Sequence, residues 1–178
     1  MVGFTVNLYV MWYLGAPEFG KLAYSQNLVF ITFAAASLGL EAIVVKRLVT
    51  HPEEANITLG TSLLLRFFGI MLIAFPIFTF CWMSDLIYDL NLFILISIGQ
   101  IINLFGVVEY TFQAKLLGKH RAISGIVAST LANMLRVYFV MNDGTLYQLA
   151  FTYTFDLLIF FIVNILIYKK SVPNRGRW

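Results

Sequence analysis

The chain has little of what a water-soluble protein of its size needs. Charged residues fill 12% of its 178 positions, about half the usual share of roughly 25%. That leaves too little polar surface to cover a folded core in water. Cysteine is nearly absent: Cys81 alone makes neither an intrachain disulfide nor a metal site. It reads as a small buried or lipid-facing residue in an apolar run. Histidine is limited to His51 and His120, both beside other charges in expected loops, where solvated side chains are the natural reading. There is no phosphate-cradling G-x-x-x-x-G-K-[ST] loop and no H-E-x-x-H pair. No catalytic constellation is visible, so the chain is expected to be no enzyme and to hold no cofactor or metal. Met1 to Leu14 lack the basic start and the A-x-A-like exit of a cleavable signal peptide.

What the sequence has instead is apolar length. Hydrophobic residues make up 60% of it and aromatic residues 16%, with 17 Phe and 9 Tyr, and the mean hydropathy is +0.84. Such a surface needs lipid as its solvent, and the aromatics suit lipid-facing helices and interfacial belts. The net charge of +3 is no nucleic-acid signal, because the basic residues fall where membrane topology wants them.

A spanning helix needs about 20 predominantly apolar residues. Five runs meet that length: Leu22 to Val45, Leu59 to Met83, Leu90 to Ala114, Ala122 to Met141 and Leu146 to Tyr168. Val2 to Leu14 is apolar but short, and ends at the turn signal Gly15-Ala16-Pro17. It reads as part of a first helix whose beginning is missing, with an interfacial segment as the alternative. The runs are long and continuous, without the alternation of barrel strands, and only helices satisfy their own backbone within such a segment. The expected fold is all-α, a polytopic transmembrane bundle over residues 1–170 with a cytoplasmic tail at 171–178. Pro76 is expected to kink the second full span.

Assigning the loops alternately to two sides gives a strong charge asymmetry. One side collects Lys46, Arg47, Lys115, Lys119, Arg121, Lys169, Lys170, Arg175 and Arg177, and the other only Lys21, beside Glu18. The acidic turn Asp85 to Asp89 and the turn Asn142-Asp143 join Lys21. The positive-inside rule places the basic side, and the C-terminus with it, in the cytoplasm. Asn56-Ile57-Thr58 matches a glycosylation acceptor, but lies on that cytoplasmic side, where glycosylation does not occur.

Five ionisable residues remain inside the expected spans: Glu41, Arg66, Glu109, Arg136 and Asp156. Each costs at least about 2.5–3.5 kcal/mol at mid-membrane on insertion scales. At 1.5 Å per residue, Glu41 and Glu109 lie about 7 Å from a cytoplasmic helix end and Arg66 about 12 Å from one. These three are expected to cluster near the cytoplasmic mouth. Arg136 and Asp156 lie at depths that would let them pair between adjacent antiparallel helices. Two roles fit the set: structural ion pairs that lock packing, or a hydrophilic path for an anionic or sugar-bearing substrate. In the second role Arg66 and Arg136 lead, because a guanidinium binds phosphate bidentately. Gln100, Asn103, Asn133 and Asn164 are candidates for hydrogen bonds between helices.

Three stretches carry a family resemblance. Tyr13 to Phe30, YLGAPEFGKLAYSQNLVF, resembles the first-loop motif of bacterial polysaccharide flippases, usually LGPxxFG. Ala36 to Phe67, ASLGLEAIVVKRLVTHPEEANITLGTSLLLRF, resembles their second helix, first cytoplasmic loop and third helix. Val107 to Ser124, VVEYTFQAKLLGKHRAIS, resembles their fourth helix and second cytoplasmic loop. Order and spacing agree over most of residues 13–140. Pro17 sits one place later than in the usual motif.

The family is the O-antigen and polysaccharide exporters of the multidrug/oligosaccharidyl-lipid/polysaccharide superfamily. The resemblance implies two six-helix lobes around a central cavity. The function it implies is to flip an oligosaccharide on a polyprenyl pyrophosphate carrier across the bacterial inner membrane, for O-antigen or another surface polysaccharide. On this analogy Glu41, Arg66 and Glu109 lie in the family-like stretches, Arg136 at their edge and Asp156 outside them. The chain is about one lobe long, and alternating access needs two bundles. It is therefore expected to be a fragment, a split-gene product or a half-transporter, with membrane lipid, lipid-linked oligosaccharide and a second lobe or second copy as partners. The alternatives are a membrane enzyme of polysaccharide assembly, which the short outer loops disfavour, and an accessory or non-functional membrane fragment.

Overall fold

In the computed structural model, residues 2–36, 39–84, 87, 89–104, 106, 108–115 and 117–171 are described, and no strand occurs among them. The elements are α1 (Val2–Ala36), α2 (Leu40–Thr50), a 3₁₀ turn (Pro52–Glu54), α3 (Ala55–Gly69), a π turn (Ile70–Ala74), α4 (Phe75–Met83), α5 (Leu90–Leu104), α6 (Val108–Ala114), α7 (Gly118–Met141) and α8 (Leu146–Ser171). Local sequence explains several ends. The Asp89 carboxylate accepts the Leu92 N–H at 3.0 Å and caps α5. Thr145 and Gln148 form a reciprocal capping box at the start of α8, with bonds of 2.8 and 3.4 Å. Pro76 lacks an N–H and crowds the carbonyl four residues back. The π turn stands immediately before it, a wider turn where the α pattern is interrupted.

The helical assignment of α1 runs through Gly15, but the backbone there adopts φ 72° and ψ 166°, a region essentially reserved for glycine. Contacts show that the chain reverses at this point. Residues before it climb α7 in step: Gly3 lies beside Asn133, Asn7 bonds Arg136, and the Tyr13 hydroxyl donates to the Gly144 carbonyl. Residues after it follow α5: Gln26 and Phe30 share a pocket with Ile96 and Gln100, and Phe33 another with Ser97 and Ile101. Helix α8 lies parallel to α5, as Tyr147–Asp89 and Thr154–Leu95 contacts require. It lies antiparallel to α7, because Arg136 meets Thr152 while Gly125 faces Phe160. Residues 2–14 and 16–36 therefore run in opposite directions, and the Gly15-Ala16-Pro17 signal marks a true turn. Gly15→Ala is expected to destabilise the protein by about 1–3 kcal/mol, read as a lower unfolding temperature in detergent.

The span count comes out lower than five by length and composition. Among the described residues, three helices are long and apolar enough to cross a membrane: Pro52–Met83, Gly118–Met141 and Leu146–Tyr168. A fourth is reached if α1 and α2, bent by 45° at a short break, count as one span. The expected helix Leu22 to Val45 is broken at Gly39, which takes the left-handed conformation, φ 63°. The expected helix Leu90 to Ala114 is split between α5 and α6, leaving Leu90–Asn103 as a shorter apolar helix. The chain is thus a membrane-embedded helical protein with apolar spans.

Contacts gather the connections at two ends. At one end, Arg47 pairs with Glu54, Gln113 with Glu41 and Arg121 with Glu109, and Phe112 packs against His120 and Tyr168. At the other, Tyr13 meets Gly144, Tyr147 donates to Asp89 at 2.7 Å, and Lys21 pairs with Glu18 at 2.8 Å. Lys46, Arg47, Lys119 and Arg121 accompany the first end, so the charge sorting read from sequence corresponds to a sorting in space. Asp85, Arg175 and Arg177, and the tail residues 172–178, lie outside the described residues.

Helix α8 sits between α5 and α7. The main core cluster joins Leu22 and Val29 of α1 with Leu92, Phe93 and Ile96 of α5 and Ala150 of α8. In the run α3 to α4, by contrast, Phe68, Leu72, Phe75 and Trp82 are all exposed, Leu72 by 77%. Lipid is the solvent that makes such a face stable. Helices α5 and α8 approach closely at Gly99, where an added Cβ would stand 3.0 Å from the Thr154 Cα. Gly99→Leu would drive a branched side chain into that contact. The expected cost is about 1–3 kcal/mol, with less folded protein recovered from membranes than for a lipid-facing control such as Leu72→Ala.

Candidate functional site

The costly ionisable residues form two groups. The first is organised by α6, a short helix that touches α2, α3, α7 and α8. On α6, Gln113 donates to the exposed Glu41 of α2 at 2.7 Å. Tyr110, 3% exposed, receives the Arg66 guanidinium of α3 in a short hydrogen bond, and the guanidinium carbon lies 4.9 Å from the ring centre. Glu109 pairs with Arg121 of α7. The expected cluster of Glu41, Arg66 and Glu109 is thus brought together, and Glu109 lies within electrostatic reach of both other residues. Its members do not pair with each other. Each acidic residue has its own partner, and Arg66 rests on a tyrosine with its Nε buried and without a hydrogen-bond partner.

The second group centres on Arg136 of α7, which is only 6% exposed. Its Nε donates to the Thr152 hydroxyl at 2.9 Å, and its Nη1 lies 3.3 Å from the Asn133 side-chain oxygen and 3.4 Å from that of Asn7. The guanidinium carbon stands 4.0 Å from the centre of the Tyr153 ring. Thr152 also donates to the Leu149 carbonyl at 2.6 Å, and the Tyr153 hydroxyl lies 3.4 Å from the Asn7 oxygen. Helices α1, α7 and α8 are thereby joined through one buried cation.

The expected Arg136–Asp156 pair does not form. Thr152 and Tyr153 engage the guanidinium one turn before Asp156 on α8, and neutral oxygens take its donors. The two residues remain within electrostatic reach. Asp156 instead lines a pocket of about 290 Å³ with Gln26, Asn27, Gln100, Tyr153 and Thr154. Tyr153 belongs to both the pocket and the Arg136 network.

The amides singled out in the sequence behave locally. Asn103 approaches Gln100 within α5 at 3.5 Å, Asn133 bonds Arg136 within α7, and the side-chain oxygen of Asn164 is buried without a partner. Cys81 is free and buried, as a packing residue should be. Among the described residues no group of His, Cys, Asp or Glu could hold a metal ion.

Both membrane-depth arginines therefore share one arrangement. Each lies against a tyrosine ring, and neither forms an ion pair with a carboxylate among the described residues. A guanidinium in that setting attracts anions more strongly than it would in water, because the local dielectric is low. Asn7, Thr152, Tyr110 and Tyr153 carry this arrangement and were not marked by their sequence context. The available signal was helical spacing: Thr152, Tyr153 and Asp156 share roughly one face of α8.

Comparison of the chain with known protein families, with curated proteins and with solved structures finds no match.

Proposed function

We propose that this chain forms most of one lobe of a flippase that moves polyprenyl-pyrophosphate-linked oligosaccharide across the bacterial inner membrane. The observation that carries the reading is the pair of arginines at membrane depth, Arg66 and Arg136, each on a tyrosine and neither ion-paired with a described residue. A pyrophosphate offers the oxygens such guanidiniums bind, and it must pass the apolar core that makes an unneutralised cation costly. The likeness of residues 13–30, 36–67 and 107–124 to flippase stretches supports the same reading. So does the gathering of basic loops at one end, which the positive-inside rule assigns to the cytoplasm.

In this reading the chain crosses five times, with residues 16–36 of α1 and α2 as one bent span and α5 and α6 as another, and residues 2–14 form a separate helical segment beside α7. Alternating access then requires a second bundle, supplied by a second copy or a further lobe. The test is complementation of a flippase-null strain. Restored surface polysaccharide is the expected result. Stable membrane insertion with no restoration counts against transport by this chain alone. Within that assay, Arg66→Ala and Arg136→Ala should lower surface polysaccharide more than they lower protein level in membranes. Equal losses in both would assign the arginines to packing.

A further inference from the structure

The pocket beside the Arg136 network has more hydrogen-bonding capacity than the protein uses. Three carboxamides line it, Gln26 and Asn27 from α1 and Gln100 from α5, together with Tyr153, Thr154 and Asp156 from α8. The side-chain nitrogen of Gln26 is buried and has no partner. Asp156, half-buried, makes no hydrogen bond or ion pair with any described residue. Gln100 is approached through its oxygen by Asn103, which leaves its two N–H donors for another acceptor. Thr154 is spent on the fold, donating to the Leu95 carbonyl at 2.8 Å, and the Tyr153 hydroxyl is directed at Asn7.

Unused donors and acceptors at membrane depth are costly, so their presence together asks for a ligand that satisfies them. The chemistry selects its class. Amides and a carboxylate offer both donors and acceptors at several angles, which suits vicinal hydroxyls. The Tyr153 and Phe30 rings add faces for the C–H side of a sugar ring. At about 290 Å³ the pocket lies at the small end of ligand sites, fitting one sugar and not a chain of them. Tyr153 connects the pocket to Arg136, so a ligand bound in both places would have a hydroxylated ring next to an anion.

We infer that the Gln26–Gln100–Asp156 pocket is the subsite for the sugar ring nearest the pyrophosphate, with Arg136 holding the phosphate beside it. The inference rests on the flippase reading and goes further by assigning recognition of the sugar to a defined set of side chains. The subsite senses hydroxyl placement; the arginine senses charge.

The test is binding of two probes to the purified full chain in lipid nanodiscs: polyprenyl pyrophosphate bearing a single N-acetylhexosamine, and sugar-free polyprenyl pyrophosphate. The first should bind more tightly by at least about tenfold, a modest return for several hydrogen bonds. Gln100→Leu and Asp156→Asn, two variants on different helices, should erase that difference while leaving the sugar-free probe unchanged. Arg136→Ala should weaken both probes. Equal binding of the two probes by the native chain overturns the subsite and leaves the flippase reading standing. A preference for the sugar-bearing probe that survives both pocket variants, each shown to remain monodisperse, also overturns it. Binding of neither probe overturns the flippase reading and the subsite together.

Discussion

Arg136→Ala should reduce glycolipid translocation by one to two orders of magnitude while lowering the folded fraction only modestly. The two effects have separate physical sources. Charge-assisted hydrogen bonds are worth about 1.5–3 kcal/mol, and each 1.4 kcal/mol is about tenfold, so losing one such contact to a phosphate removes that range of activity. The structural loss is buffered by what the neighbours keep. Thr152 retains its bond to the Leu149 carbonyl, and Asn7 retains the Tyr153 hydroxyl. Only Asn133 loses the sole acceptor contact it has with Arg136. Leaving one buried acceptor unpaired costs about 1–3 kcal/mol. Arg136→Lys separates the terms further. It keeps the charge but not the planar fork that lies on Tyr153 while reaching Thr152 and Asn133. Protein level close to native with translocation reduced about tenfold is the expected outcome, read by paired immunoblot and transport assay.

The second large effect concerns Arg66 and Tyr110. Arg66→Ala strands the Tyr110 hydroxyl in a site that is 3% exposed, and Tyr110→Phe strands a guanidinium whose Nε is already buried without a partner. Each single change should destabilise the junction of α3 with α6. The double change removes donor and acceptor together and should cost less than the sum of the two. A coupling of about 1–2 kcal/mol is expected from a double-mutant cycle on unfolding in detergent. Additive losses would mean that the contact contributes nothing of its own. Because Gln113 and Glu109 tie the same short helix to α2 and α7, Arg66→Ala should also raise hydrogen exchange across residues 109–114.

Much of the architecture was readable because lipid simplifies the code. Long apolar runs without alternation leave helices as the only backbone solution, and a Gly-x-Pro cluster between two such runs marked the reversal at Gly15. Pro76 announced an interruption because its missing N–H breaks the helical pattern wherever it stands. The sorting of basic and acidic loops was legible for the same reason, since charges are rare enough here to count. The breaks near Gly39 and after Leu104 were not legible. A single glycine inside an apolar run is compatible with an unbroken helix, and nothing in the local sequence says that the backbone turns left-handed at Gly39.

The candidate site was legible in its charges and not in its partners. Depth along a helix follows from residue number, so Arg136 and Asp156 could be placed at compatible heights. Which way each faces around its own helix does not follow, and it is this rotation that gives Arg136 to Thr152, Tyr153 and Asn7. Those three residues are uncharged, so none carries the insertion penalty of an ion that would have singled it out. Glu41, Arg66 and Glu109 were grouped correctly because they lie close to the same end. Their separate partners, Gln113, Tyr110 and Arg121, depend on α6 being a helix of its own, which the unbroken run concealed.

The central claim is that the two arginines meet the pyrophosphate of a lipid-linked sugar. Photocrosslinking in native membranes measures this whether or not the chain transports alone. A polyprenyl pyrophosphate sugar carrying a diazirine next to the phosphate should label the chain on irradiation. Labelling should map to peptides of α3, α7 or α8. It should fall at least about tenfold in Arg66→Ala and Arg136→Ala at matched protein level, and stay unchanged in Lys119→Ala at the basic end. Labelling that is absent from the well-inserted native chain, or indifferent to both arginines, would contradict the claim.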